Sequence, residues 1–117
     1  MELATLVEQQ IAADRRRGFA VDFGSNAERH DQLTRDLVGL IGEVGEFANL
    51  LKKVGLGLTR PAYAGPSLDE VSPSLREELA DAIIYIFRLS TILGGDLEAD
   101  VLAKMKVNDN RYGPLER

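Results

Sequence analysis

A chain of 117 residues, 44% hydrophobic and 28% charged, has room for one folded domain and the balance of a globular protein rather than a disordered tail. Its 14 basic and 19 acidic residues leave a net charge of −5, which argues against binding a nucleic-acid polymer along its phosphate backbone but leaves open a metal-bridged phosphate ligand. The absence of cysteine removes disulfides, thiolate zinc sites, iron–sulfur clusters and cysteine nucleophiles, and one histidine, His30, cannot build a three-histidine zinc site.

Residues 1–17 read as a short amphipathic helix, with Leu3, Leu6, Val7 and Ile11 at helical spacing, Arg15–Arg17 in the last turn and Gly18 as the stop. Met1-Glu2-Leu3-Ala4 lacks the basic and apolar regions of a secretion signal. No apolar run approaches a membrane span, so the cytoplasm is the expected location. After a connector containing Gly24, Ser25 and Glu28 have capping-box spacing, so a second helix starts at Asn26 or later, near Asp31. Along it, Leu33, Leu37, Leu40, Ile41, Val44, Phe47, Ala48 and Leu51 fall in a stripe about 120° wide, and Gly55 and Gly57 are expected to close it.

Residues 54–72 read as a long mobile flap or linker rich in glycine and proline. Ser72-Pro73 is the expected start of a third helix ending near Leu93. Its Ala82–Phe87 run is apolar all round, which suits a central core helix or one shared with another subunit. Gly94-Gly95 stops it, and Asp96 caps a fourth helix through about Val107. The whole chain, 1–117, reads as one all-α domain, without internal repeats.

The chemistry lies in two acidic pairs. Glu43 and Glu46 on the second helix, and Glu78 and Asp81 on the third, are each i, i+3 neighbours whose repulsion costs a few tenths of a kcal/mol (~0.3) unless a cation compensates. Such pairs also occur on ordinary solvated helix faces. Here, however, Glu78 and Asp81 share a stripe with Tyr85, Arg88 and Ile92. Gly39, Gly42 and Gly45 recur at i, i+3, i+6, as though something approaches that backbone closely. Antiparallel packing of the two helices would gather four carboxylates, an all-oxygen set suited to Mg²⁺ or Mn²⁺. Lys104, Asn108 and Arg111 share one face if the fourth helix persists. They are either a phosphate grip or cations at a helix end.

These pieces, in this order, resemble the MazG-like nucleotide pyrophosphohydrolases of the all-α NTP pyrophosphatase superfamily. Leu40-Ile-Gly-Glu-Val-Gly-Glu-Phe-Ala is similar to the first motif (ExxE), Glu77-Glu-Leu-Ala-Asp-Ala-Ile-Ile-Tyr to the second (ExxD), and Lys104, Asn108 and Arg111 to the K…N..R segment. The likeness covers roughly residues 30–113. Gly42 departs from the pattern, since many relatives carry a further glutamate there.

The resemblance implies a four-to-five-helix bundle, assembled as a homodimer or homotetramer with the active site walled partly by a neighbouring subunit. It also implies Mg²⁺-dependent cleavage of a (d)NTP between the α and β phosphates, in the service of nucleotide-pool house-cleaning. Glu43, Glu46, Glu78 and Asp81 would be the metal ligands and catalytic acids; Lys104, Asn108 and Arg111 would bind the triphosphate, with Lys53 a further phosphate candidate. The base is expected near Phe19, Phe23 and His30, with His30 better suited to a surface or capping role, while Tyr112 either closes the site or packs the chain end. Two rival readings are a non-catalytic helical dimer with solvated acids and a di-iron carboxylate bundle. The second normally draws on Glu-x-x-His pairs, and His30 lies outside both acidic motifs.

Overall fold

The computed structural model describes residues 1–116 and contains four α-helices followed by a short 3₁₀ turn; among these residues there is no strand. Helix α1 spans Leu3–Arg17. Gly18, at φ 79°, ends it in the left-handed conformation that glycine adopts most cheaply, and its N–H donates back to the Arg15 carbonyl. Helix α2 spans Asn26–Thr59. It starts where Ser25 Oγ accepts from the Glu28 N–H at 3.2 Å, while Glu28 Oε2 reaches back to the Gly24 N–H.

Three boundaries differ from the sequence expectation. Helix α2 continues through Gly55 and Gly57 to Thr59. Gly57 is used for close approach rather than for termination, since a Cβ there would lie 3.3 Å from Gly65 Cα. Helix α3 spans Leu68–Ile92, starting five residues before Pro73. Its cap is Ser67, whose Oγ accepts from the Glu70 N–H at 3.1 Å, and Asp69 and Glu70 follow in the dipole-favoured first turn. The early start lets Val71 and Leu75 bury against Val54 with Phe47 and Leu50, a gain that outweighs the poor fit of an internal proline. The loop between α2 and α3 is therefore residues 60–67 only. Helix α4 spans Leu97–Tyr112, capped by Asp96, and runs past Val107 so that Lys104, Asn108 and Arg111 stand on one continuous helix.

Helices α2 and α3 form a long antiparallel hairpin, fixed at one end by Val54 against Val71 and Leu75 and towards the other by Asp36 against Arg88. Helix α1 packs on α3, and α4 meets α1 and the end of α3. Neither α1 nor α4 packs its backbone on α2. One side of α2 is consequently bare. Leu37, Ile41, Val44 and Leu51 of the predicted apolar stripe are exposed, Ile41 by 60%, as are Ile83 and Ile86 of α3. Phe87 is buried, so the all-round apolar segment of α3 has one side covered within the chain and one open. Among the described residues no large side chain is completely enclosed. The accessible surface is 8605 Å², against about 6,300 Å² for a compact monomer of this mass. The radius of gyration is 18.4 Å, against about 13 Å. Among the described residues no helix is long and apolar enough to cross a membrane.

Candidate metal centre

The antiparallel hairpin sets Glu43 and Glu46 of α2 opposite Glu78 of α3. Each offers a carboxylate oxygen, and the three oxygens lie within 4.8 Å of one another. Glu43 Oε2 and Glu78 Oε2 are buried without a hydrogen-bond partner. Buried polar atoms are normally satisfied, and two unpaired acceptors facing a third carboxylate are the opposite of a self-sufficient arrangement. Glu43, then Glu46, followed by burial, push the Glu78 carboxyl up to about 8.

A hard divalent cation fits this donor set. Coordination at about 2.1 Å places ligand oxygens about 3–4 Å apart, a small contraction of what is present, and satisfies both orphaned oxygens at once. Three glutamates therefore can hold such an ion. Asp81, one turn further along α3, is exposed and stands outside the converged set.

The other predicted site residues are dispersed within the chain. Lys53 is exposed on α2, two turns beyond Glu46. Lys104 and Arg111 are exposed and Asn108 half-buried on α4, which does not reach α2. The Arg111 guanidinium lies 5.2 Å from the Tyr112 ring centre, so Tyr112 packs locally. Phe19 lines a 560 Å³ cavity with Tyr85 and Arg88, Phe23 lines a different one beside Arg29 and Ile92, and His30 is exposed. Of the three close-approach glycines, only Gly39 is used within the chain, where a Cβ would collide with the Tyr85 ring. Gly42 and Gly45 face open space.

Comparison with known proteins gives related sequences. Human dCTP pyrophosphatase 1 is 36% identical over 85 residues, the mouse protein of that name 36% over 86, and the rat protein 34% over 87. Each alignment covers 73% of this chain. The chain is a homologue of these proteins. The MazG-like resemblance carried by the two acidic motifs agrees with that relationship. The chain spans 48% of the length of the relatives it matches. No family model and no solved structure matches it.

Sequence reasoning missed how Arg88 is used. Its guanidinium is buried and donates from Nε to both oxygens of Asp36 at 3.1 Å, from Nη1 to Asp14 Oδ2 at 2.9 Å and from Nη2 to the Ala20 carbonyl at 2.7 Å. Burial works against its charge, but Asp36 and then Asp14 outweigh it, so its pKa is raised. The available signal was an arginine beside the apolar Ile83–Phe87 run, where a buried charge must find a partner.

Proposed function

We propose that this chain forms the catalytic unit of a nucleoside triphosphate pyrophosphohydrolase. In the proposed reaction, water oxygen attacks the α-phosphorus, the bond from that phosphorus to the oxygen bridging to the β-phosphate breaks, and the products are a (d)NMP and pyrophosphate. The observation that carries the reading is the convergence of Glu43, Glu46 and Glu78 with two orphaned buried oxygens. Those glutamates, with Asp81 turned inward, would hold Mg²⁺ or, as a substitute, Mn²⁺. When bound, the metal supplies charge neutralisation at the phosphates and a more acidic water. Glu46, the most exposed of the three, would orient the attacking water and accept its proton.

Lys104, Asn108 and Arg111 would grip the triphosphate, with Lys53 at its outer end. Since α4 does not reach α2 within one chain, we assign that grip to α4 of a second copy, in a homodimer or homotetramer that covers the bare apolar face of α2 and α3. This assembly is a soluble one, with the cytoplasm as its proposed location.

The relatives' name makes dCTP the first substrate to assay, with nucleotide-pool clearance as the role. The test is incubation with a panel of canonical and modified dNTPs and Mg²⁺, with products identified by phosphorus NMR. The reading expects pyrophosphate and monophosphate in equal amounts and a loss of at least ~100-fold in Glu46→Gln. A folded protein that releases no pyrophosphate from any of them refutes it.

A further inference from the structure

The hairpin of α2 and α3 keeps one register along its length: Asp36 meets Arg88, Tyr85 lies over Gly39, Glu43 and Glu46 face Glu78, and Val54 meets Val71 and Leu75. The forces that fix this register are unevenly placed. At the level of the acids the two helices have no attraction of their own, since three carboxylates converge and two of their oxygens are unpaired. On one side of the acids stands the Val54 cluster. Its contacts are non-directional, and apolar residues recur at intervals of three and four along α2, so a slide of one turn meets a similar surface.

On the other side stands a directional contact. Arg88 is 6% exposed, Asp14 2% and Asp36 4%. Nε of Arg88 donates to both oxygens of Asp36, Nη1 to Asp14 and Nη2 to the Ala20 carbonyl, so α1, the connector, α2 and α3 meet at one planar group. The acceptors are held in advance. Gln10 and Gln32 each stand one turn before an aspartate and donate to it, at 2.9 Å on α1 and 3.2 Å on α2. Arg17 and Arg35 line the cavity beside this group, but both are exposed, and the ion pairs of the two aspartates run to Arg88. A buried ion group is a poor source of net stability, since apolar side chains of similar volume often serve as well; its best-attested use is to fix register.

We propose that Arg88 is a positioning residue: by clamping Asp36 and Asp14 it sets the register of α3 on α2 and so brings Glu78 to Glu43 and Glu46. The register claim stands on these contacts, and its consequence for a divalent cation rests on the pyrophosphohydrolase reading. A slide of one turn moves α3 by about 5 Å, more than the spacing of ligand oxygens around one ion.

The chain has no cysteine, so Thr34→Cys and Glu70→Cys, both at exposed positions, give two spin-label sites roughly 30 Å apart along the hairpin. The label distance is measured in the metal-free full chain, diluted into unlabelled protein, with and without the combined substitutions Asp14→Leu, Asp36→Leu and Arg88→Met. Calorimetry of the unlabelled proteins gives the Mg²⁺ affinity without nucleotide. The parent should show one narrow distance. The apolar variant should keep its melting temperature, add a population displaced by about 5 Å and bind Mg²⁺ at least ~10-fold more weakly. Arg88→Lys keeps the net charge of the group but not the planar fork; it should show both changes in smaller degree, and it carries the test if the apolar variant does not fold. A merely structural clamp would change the melting temperature and leave the distance unchanged, which would overturn the proposal. A displaced register with unchanged Mg²⁺ affinity would overturn the positioning role. A parent that binds no Mg²⁺ at millimolar concentration, with the register still displaced in the variants, would instead refute the pyrophosphohydrolase reading and leave the register claim standing.

Discussion

Glu78 shows how one side chain couples the site to the rest of the protein. Its carboxyl, raised to about 8 by Glu43 and Glu46, holds a proton more tightly in the folded chain than in the unfolded one. The sign follows from linkage: the stabilisation from this group is complete below the usual carboxylate range and is lost as pH rises through about 8. Metal-free protein should therefore lose thermal stability across that window, and Glu78→Gln should flatten the loss. A wild-type melting temperature that does not change between pH 5 and pH 9 would contradict the crowding. The identities of the acids were legible because their spacing is local. The exclusion of Asp81 from the converged set was not, because side-chain placement depends on neighbours that the spacing does not specify. Arg88 was legible only as a charge next to an apolar run; its partners lie 52 and 74 positions away, on α2 and α1.

Among the elements, the helices themselves were readable from periodicity, and their ends were not always so. Ser25, Gly18 and Asp96 act locally, so those boundaries followed from residue type. The sequence pointed to Ser72 as the cap of α3, whereas Ser67 is used, and the reason is tertiary: the earlier start places Val71 on α3 beside Leu75 and against Val54. The same dependence separates the glycines of α2. Gly39 lies under Tyr85, so Gly39→Ala should displace that ring and cost about 1–3 kcal/mol in chemical denaturation. A stability within ~0.5 kcal/mol of wild type would show that Tyr85 does not pack there.

For the whole molecule, the excess surface and the bare side of α2 leave an apolar face uncovered within one chain. The sequence carried this as an apolar segment too wide for a small monomer, but it could not say which side stays open. Sedimentation of the full chain should give a dimer or tetramer. Ile41→Asp, which places a charge on the exposed stripe, should shift the population towards monomer and lower the melting temperature by several degrees (~5 °C). A monomeric wild type at micromolar concentration would contradict the assembly. It would also remove the route by which Lys104, Asn108 and Arg111 reach the acids.

The most direct measurement is the thermal stability of the wild-type protein at pH 8.5 as Mg²⁺ is titrated to millimolar concentration without nucleotide, alongside Glu43→Gln and Glu78→Gln. If the carboxylates converge to hold a divalent ion, the wild type should melt several degrees (~5 °C) higher with Mg²⁺, and each variant should lose most of that gain. An unchanged wild type, or variants stabilised as much as the wild type, would show that these glutamates are not a cation site.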